Sequence, residues 1–279
     1  MIRISSPTEV RGSTKKSVGS MTAETDLLRR THTPRMVKRA IVRGFVDLHC
    51  HWIAGIDDGA RTPEEGLLML HRLHEAGFSE VVATPHMRPG MFDNDKASIE
   101  RSFAAMQPTL SASVALPLVH LASEHFFDDV VFGRLIRGEG LPYTGKAVLV
   151  EFGKAFPARA QHRFFDLRRA GLVPVLAHPE RYESVWRDDG CLDPLLDAGA
   201  HLLLDVCALI GKYGRLPQRA AEKLLEEDAY EAACSDAHKP DDVDGVALAI
   251  DRLWSLVGSA EAHRLLADGP RSILHGSLQ

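Results

Sequence analysis

Short apolar, strand-like runs recur along this chain, and six of them lead, most of them directly, into residues able to bind a metal ion. The first run, over 41–46, precedes Asp47-Leu48-His49-Cys50-His51. His86 follows the run over 81–83, Glu124 that over 118–119 and Glu151 that over 148–150. His178 follows the run over 173–177, and Asp236-Ala237-His238 follows 232–234. Side chains on an extended strand repeat every two residues, so His49 and His51 share a face, as do Asp236 and His238. In (β/α) barrels the catalytic groups come from the C-terminal ends of several strands. The pattern therefore predicts a barrel with a metal centre in its mouth.

The segments between the runs support that architecture. Thr62-Pro63-Glu64-Glu65 reads as a capping box with proline at the first helical position, and the helix it opens stops at Gly77. Further helices are expected over 96–110, 159–170, 192–198, 219–228 and 243–257. The strands are expected to end near residues 50, 83, 122, 151, 177, 206 and 235. Strand alternating with helix is the signature of an α/β protein with a parallel sheet. One distorted (β/α)7 TIM-like barrel accounts for this order better than two domains.

Charge and cysteine usage narrow the setting. The net charge of −5 leaves no basic face for nucleic acid. No stretch approaches the ~18–20 apolar residues of a membrane span. Residues 1–44 hold ten Lys/Arg against three Asp/Glu, or +7, which leaves −12 on the remainder. We read 1–43 as a basic, disordered leader, or as the product of a start codon placed too far upstream, since Met36 stands just before the first strand. The fold argument is confined to 44–279. Cys50, Cys191, Cys207 and Cys234 form no CxxC pair and read as reduced, small apolar residues of a cytoplasmic protein.

The metal-ligating set comprises His49, His51, Asp58, His86, Glu124, Glu151, His178, Asp236 and His238, five histidines and four carboxylates. Asp58 comes from the Asp57-Asp58 pair between the first two clusters. One catalytic zinc needs about three protein ligands, so nine imply two or three divalent ions. Nitrogen and oxygen ligands without thiolate leave Mn, Fe, Zn or Co open. Adjacent metals suit in-line displacement at phosphorus. A phosphate ester also calls for cations able to fork onto its oxygens. Arg181 in His178-Pro179-Glu180-Arg181 is the first choice, Arg88 in His86-Met87-Arg88 the second and Lys239 a weaker third. Catalysis is assigned to Arg181, Arg88 and Asp58. Cysteine-phosphatase chemistry is excluded: the positions six beyond the four cysteines are Ile56, Asp197, Tyr213 and Pro240, none of them arginine. GxSxG, GxxxxGK[ST] and HExxH are absent too. His125, beside Glu124, stays open between ligand and structural residue.

These residues resemble a known family. Asp47-Leu48-His49-Cys50-His51 with Gly55-Ile56-Asp57-Asp58-Gly59-Ala60 is similar to the opening of the PHP (polymerase and histidinol phosphatase) superfamily. More narrowly, it resembles the CpsB/CapC-type bacterial metal-dependent protein tyrosine phosphatases. The likeness continues through Ala83-Thr84-Pro85-His86, Gly90-Met91-Phe92, Ser123-Glu124, Val150-Glu151-Phe152, Ala177-His178-Pro179-Glu180-Arg181 and Ser235-Asp236-Ala237-His238, over roughly 44–275. It implies a PHP fold holding a multinuclear, manganese-dependent centre on the nine ligands named above. It also implies a phosphotyrosine protein as substrate, a bacterial tyrosine autokinase of capsule or exopolysaccharide synthesis. Charge and the lack of a long apolar run add no nucleic acid partner and no membrane insertion, and the oligomeric state stays open. Two features depart from the family pattern: the basic leader, and Lys239-Pro240-Asp241-Asp242-Val243-Asp244 where relatives carry an arginine shortly after Asp-x-His. Two other readings stand beside this one: a phosphatase of small esters such as histidinol phosphate or a nucleotide, and a non-catalytic, metal-stabilised module.

Overall fold

The computed structural model describes residues 44–153 and 156–277, and the leader expected over 1–43 lies outside them. Its strands are β1 (Phe45–Cys50), β2 (Phe78–Ala83), β3 (His86–Met87), β4 (Leu118–Leu121), β5 (Glu124–Phe126), β6 (Ala147–Glu151), β7 (Val173–Ala177), β8 (His201–Asp205) and β9 (Ala232–Cys234). All pairings between them are parallel. One sheet has the order β1-β2-β4 and the other β3-β5-β6-β7-β8-β9. β2 runs on into β3 across Thr84-Pro85, and β4 into β5 across Ala122-Ser123, so each of these two expected strands crosses from one sheet to the other. The wall is thus made of seven strand positions, as the sequence pattern implied.

The first and last positions meet at the site end. Cys50 and Ala237 form a parallel bridge. His51 donates its backbone N–H to Ala237 O at 2.9 Å, and Asp236 donates to His49 O at 2.9 Å. The buried Asp47 carboxylate fixes this seam, accepting Ser235 Oγ at 2.5 Å and Ser235 N at 3.0 Å. Asp47 is thereby committed to the joint between β1 and β9. Burial pushes its pKa up to about 6 against the pull of the Ser235 hydrogen bonds.

The helices are α1 (Pro63–Ala76), α2 (Lys96–Ser111), α3 (Asp129–Ile136), α4 (Ala160–Arg169), α5 (Glu183–Arg187), α6 (Asp193–Asp197), α7 (Arg215–Glu226), α8 (Pro240–His263) and α9 (Gly269–His275). α1 starts where its cap predicts: Thr62 Oγ1 accepts the Glu65 N–H at 3.3 Å, and Gly77 ends the helix at φ 111°. The reciprocal half of the box is absent, because the Glu65 carboxylate turns to the Arg61 backbone N–H and guanidinium instead. α7 begins at Arg215 rather than 219, since proline is tolerated in a first helical turn and Pro217 lies there. The break expected after 257 is real: Gly258, at φ 79° and ψ 175°, interrupts α8. The sequence pattern missed α3, α5 and α9 and found α6 within its expected 192–198.

Alternate residues of the strands face opposite ways. Val82, Ala122, Ala147, Leu149, Val175, Ala177, Leu203, Ala232 and Cys234 form one buried cluster with Tyr143, Ile273 and Leu274. Val81, Val148, Val150, Leu176, Leu202, Leu204 and Ala233 point to the other side and pack under the helices. Counting two residues on from the first set explains where carboxylates arrive: Ala122 leads to Glu124, Leu149 to Glu151, Leu203 to Asp205 and Cys234 to Asp236.

Candidate active site

The nine residues named from the sequence converge at this strand end. Their ligand atoms fall into four overlapping groups, each within 4.8 Å. The groups are His51-Asp58-His86-His238, His49-His51-Glu124, His49-His178-Asp236 and His86-Glu124-Glu151. All but Asp58, Glu151 and His238 are buried.

Glu124 is the hub. Its Oε2 lies 3.2 Å from His49 Nε2, 3.5 Å from His51 Nε2 and 3.0 Å from His86 Nδ1, while Oε1 lies 3.3 Å from His178 Nε2. Asp236 Oδ1 is a second hub, 3.2 Å from His49 Nε2 and 3.6 Å from His51 Nε2. Asp58 reaches in from its loop, its Oδ1 3.4 Å from His86 Nε2 and 3.6 Å from His238 Nε2. Such spacings are close to the ~3.0–3.4 Å edges of polyhedra built on ~2.1 Å metal–ligand bonds.

The electrostatics favour a cation. Burial opposes charge on His49, yet Glu124 and Asp236 outweigh it and hold its pKa above the ordinary value. His51 is held well above that value by Asp57 and Asp236 against the same burial, and His86 is raised by Glu124. The two hub carboxylates are held well below the carboxylate range, Glu124 by His49 and His86 and Asp236 chiefly by His49, in each case overcoming burial. Burial and the neighbouring Glu124 charge push Glu151 up to about 7. Burial and Arg181 push His178 down to about 4, and burial and His51 lower His238. Among the described residues, Glu124 Oε1, Glu151 Oε2, Asp236 Oδ1 and His178 Nδ1 are buried without a hydrogen-bond partner. Buried polar atoms left so are costly, and lone pairs converging in this way fit divalent metal ions, which displace protons from such ligands.

Around the cluster stands a set of supporting residues. Asp57, next to the ligand-facing Asp58, accepts from His51 Nδ1 at 2.8 Å, from Gly59 N at 2.9 Å and from His86 N at 3.0 Å. It presents His51 Nε2 to the hubs, and His51 holds its pKa down to about 2 despite burial. Phe92 stacks on the His86 ring at 5.3 Å and 4°. It is placed by a turn in which Arg88 and Phe92 exchange backbone hydrogen bonds at 3.1 and 2.8 Å.

His125 belongs to the scaffold. Its Nδ1–H donates to Leu149 O at 2.8 Å and its Nε2 accepts Leu141 N–H at 3.1 Å, which occupies both ring nitrogens with backbone. Burial pushes its pKa down to about 4.

Arg181 leaves β7 through the turn Pro179–Arg181, which His178 opens at φ 37°. Its Nη1 pairs with Asp236 Oδ2 and lies 3.8 Å from Asp205 Oδ2, and its guanidinium lies over the Tyr213 ring at 4.5 Å. Arg88 lies over the Phe126 ring at 4.1 Å, with Nη1 3.9 Å from Glu151 Oε2. Both arginines therefore flank the cluster. Lys239 is exposed at the start of α8. Asp57, Asp205 and Tyr213 were given no role from the sequence. Asp205 carried a usable signal, because it stands two residues beyond inward Leu203 as Glu151 stands beyond Leu149.

A parallel barrel with a His/carboxylate cluster at the C-terminal ends of its strands defines a hydrolase-type metal site. The match to known proteins is narrower. Residues 45–275 match the family described as "Capsular polysaccharide synthesis, CpsB/CapC", and the chain belongs to that family. It is 27% identical over 200 residues to tyrosine-protein phosphatase YwqE of Bacillus subtilis, covering 70% of this chain and 77% of that one. It is 24% identical over 243 residues to tyrosine-protein phosphatase CpsB of Streptococcus pneumoniae, covering 84% of this chain and 100% of that one. It also superposes with a TM-score of 0.76, at 25% identity, on a chain from the crystal structures of YwqE and CpsB, described as unique metal-dependent tyrosine phosphatases. That superposition covers 83% of this chain and 94% of the other. No helix among the described residues is long and apolar enough to cross a membrane.

Proposed function

We propose that this chain is a metal-dependent phosphomonoesterase that hydrolyses phosphotyrosine in proteins, with 44–279 as one catalytic domain. The observation that carries the proposal is the convergence of nine N/O ligands beside an arginine with free donors. Among the described residues, the hydrogen bond of Arg181 is made through Nη1 to Asp236, which leaves its Nε–H and Nη2 donors beside the cluster for a ligand.

His49, His51, Asp58, His86, Glu124, Glu151, His178, Asp236 and His238 would hold two or three divalent ions, for which manganese is our choice. Bound there, such ions lower the pKa of water and neutralise charge on the phosphoryl oxygens. The chain's own residues do the rest. Arg181 binds and orients the phosphoryl oxygens through its free N–H groups, with Arg88 beside Glu151 as a second cation. Asp57 keeps His51 in the tautomer that presents Nε2. Phe92 and the buried surroundings of the hub exclude bulk water from His86. The departing phenol has a pKa of ~10, so it needs less help from a general acid than an alkyl alcohol would.

The family's description names capsular polysaccharide synthesis and its relatives are named tyrosine-protein phosphatases. The phosphoprotein we propose on that basis is a tyrosine autokinase of capsule or exopolysaccharide synthesis, met in the cytoplasm. Phosphate release from a phosphotyrosine peptide, with histidinol phosphate run in parallel, tests the reading. Activity on the peptide supports it, and activity confined to the small ester overturns it.

A further inference from the structure

Arg181 is held from three sides, by Asp236, Asp205 and Tyr213. Asp205 ends β8 and is fully buried. Its backbone N–H donates to Glu180 Oε1 at 2.9 Å, and its Oδ1 accepts Cys207 N–H at 2.9 Å. Its Oδ2 lies 3.8 Å from Arg181 Nη1, and the Tyr213 hydroxyl interacts with the same carboxylate. A carboxylate buried in that way is costly unless a positive charge faces it. Arg181 is the foremost such charge, and the Tyr213 hydroxyl and Lys212 add to its effect. Tyr213 follows the short turn Val206–Ile210 after β8 and places its ring 4.5 Å from the guanidinium carbon. Glu180, one residue before Arg181, ties this unit to the barrel wall by accepting from Asp205 N and, at 2.9 Å, from the Tyr230 hydroxyl.

Without these groups the guanidinium would be free to rotate onto Asp236, engaging its other donors with a carboxylate that also faces His49. With them, Nη1 lies between two carboxylates, the plane rests on an aromatic face, and the Nε–Nη2 edge stays available. Fixing an arginine plane matters because its donors are a rigid fork whose value depends on aim.

We propose that Asp205 and Tyr213 are positioning residues that aim the open edge of Arg181 at the phosphoryl group. This deepens the phosphatase reading above and rests on it. Neither residue touches the reacting atoms, so both act only through Arg181.

The test is a double-mutant comparison on the full-length chain with manganese, assayed on a phosphotyrosine peptide with bound metal measured in every sample. D205N is expected to lower kcat/KM by roughly 10- to 100-fold with bound metal unchanged. In an R181A background the same D205N change is expected to cost nothing further, because its target is already gone. Y213L reproduces the D205N loss, and Y213F, which keeps the ring under Arg181 but removes the hydroxyl from Asp205, loses less than Y213L. Should D205N fail to fold, Y213L carries the comparison, since Tyr213 is only partly buried. Equal losses from D205N with and without Arg181, or loss of metal along with activity, would overturn the proposal in favour of a structural role. An active wild type with D205N at the wild-type rate overturns this inference alone. A wild type inactive on the peptide overturns the phosphatase reading as well.

Discussion

His51 Nδ1 lies 2.8 Å from the buried Oδ2 of Asp57, and this pair decides which of two adjacent carboxylates faces the metal cluster. Asp57 is spent on the ring of His51 and on the backbone of Gly59 and His86, while half-exposed Asp58 points to His86 and His238. Outer carboxylates of this kind fix the tautomer and raise the basicity of a ligating histidine. D57N should therefore weaken metal binding by roughly 10- to 100-fold while the fold persists. Metal titration followed by calorimetry checks this, and unchanged affinity in D57N would remove the orienting role.

Arg181 should behave as a binder of charge that grows toward the transition state. R181A is expected to lower kcat on a phosphotyrosine peptide by about 10²–10³-fold, the usual cost of one lost oxyanion donor. R181K restores only part of it, because an ammonium lacks the planar fork. Steady-state kinetics with bound metal measured alongside makes the check. Loss of metal together with rate would show that Arg181 supports the cluster rather than the substrate.

Glu180 sets a pH dependence of stability. Burial and the neighbouring Asp205 push its pKa to about 8, against an ordinary value of 4.5. Between those values the folded chain binds a proton that the unfolded chain has released. Stability from this group is thus full below about pH 4.5 and is lost as pH rises through about 8. E180Q keeps the acceptor for Asp205 N and removes the titration. Its stability relative to wild type should rise from pH 5.5 to pH 8.5, as read from denaturant midpoints. A constant difference across that range would contradict the assignment.

His125 separates scaffold from site. H125A leaves the buried Leu141 N–H and Leu149 C=O without their partner, at about 1–3 kcal/mol for each unsatisfied group. A lower melting temperature with activity per folded molecule retained is the expected outcome. Lost metal with an unaltered melting temperature would make His125 a ligand after all.

The strands and the convergence of the nine candidate residues were legible because period-2 alternation and strand-terminal His or carboxylate residues are local signals. Ala122 to Glu124 and Leu149 to Glu151 can be read straight from spacing. The supporting groups were not legible in the same way. Nothing local distinguishes Asp57 from Asp58, since both are acidic loop residues and only the path of the loop past His51 separates them. Tyr213 reaches Arg181 across 32 residues of sequence, through a turn whose course depends on how β8 packs beside β7. His125 stayed undecided because its partners, Leu141 N and Leu149 O, are backbone atoms that no side-chain pattern announces.

The central claim is that the His/carboxylate cluster works through divalent metal on phosphotyrosine. The most direct test is phosphate release from a phosphotyrosine peptide by the full-length chain, before chelation, after it and after manganese is restored, with H86A beside the wild type. The account predicts activity lost on chelation, recovered with manganese and absent throughout in H86A. Activity that survives chelation, or an H86A chain as active as wild type, would contradict it.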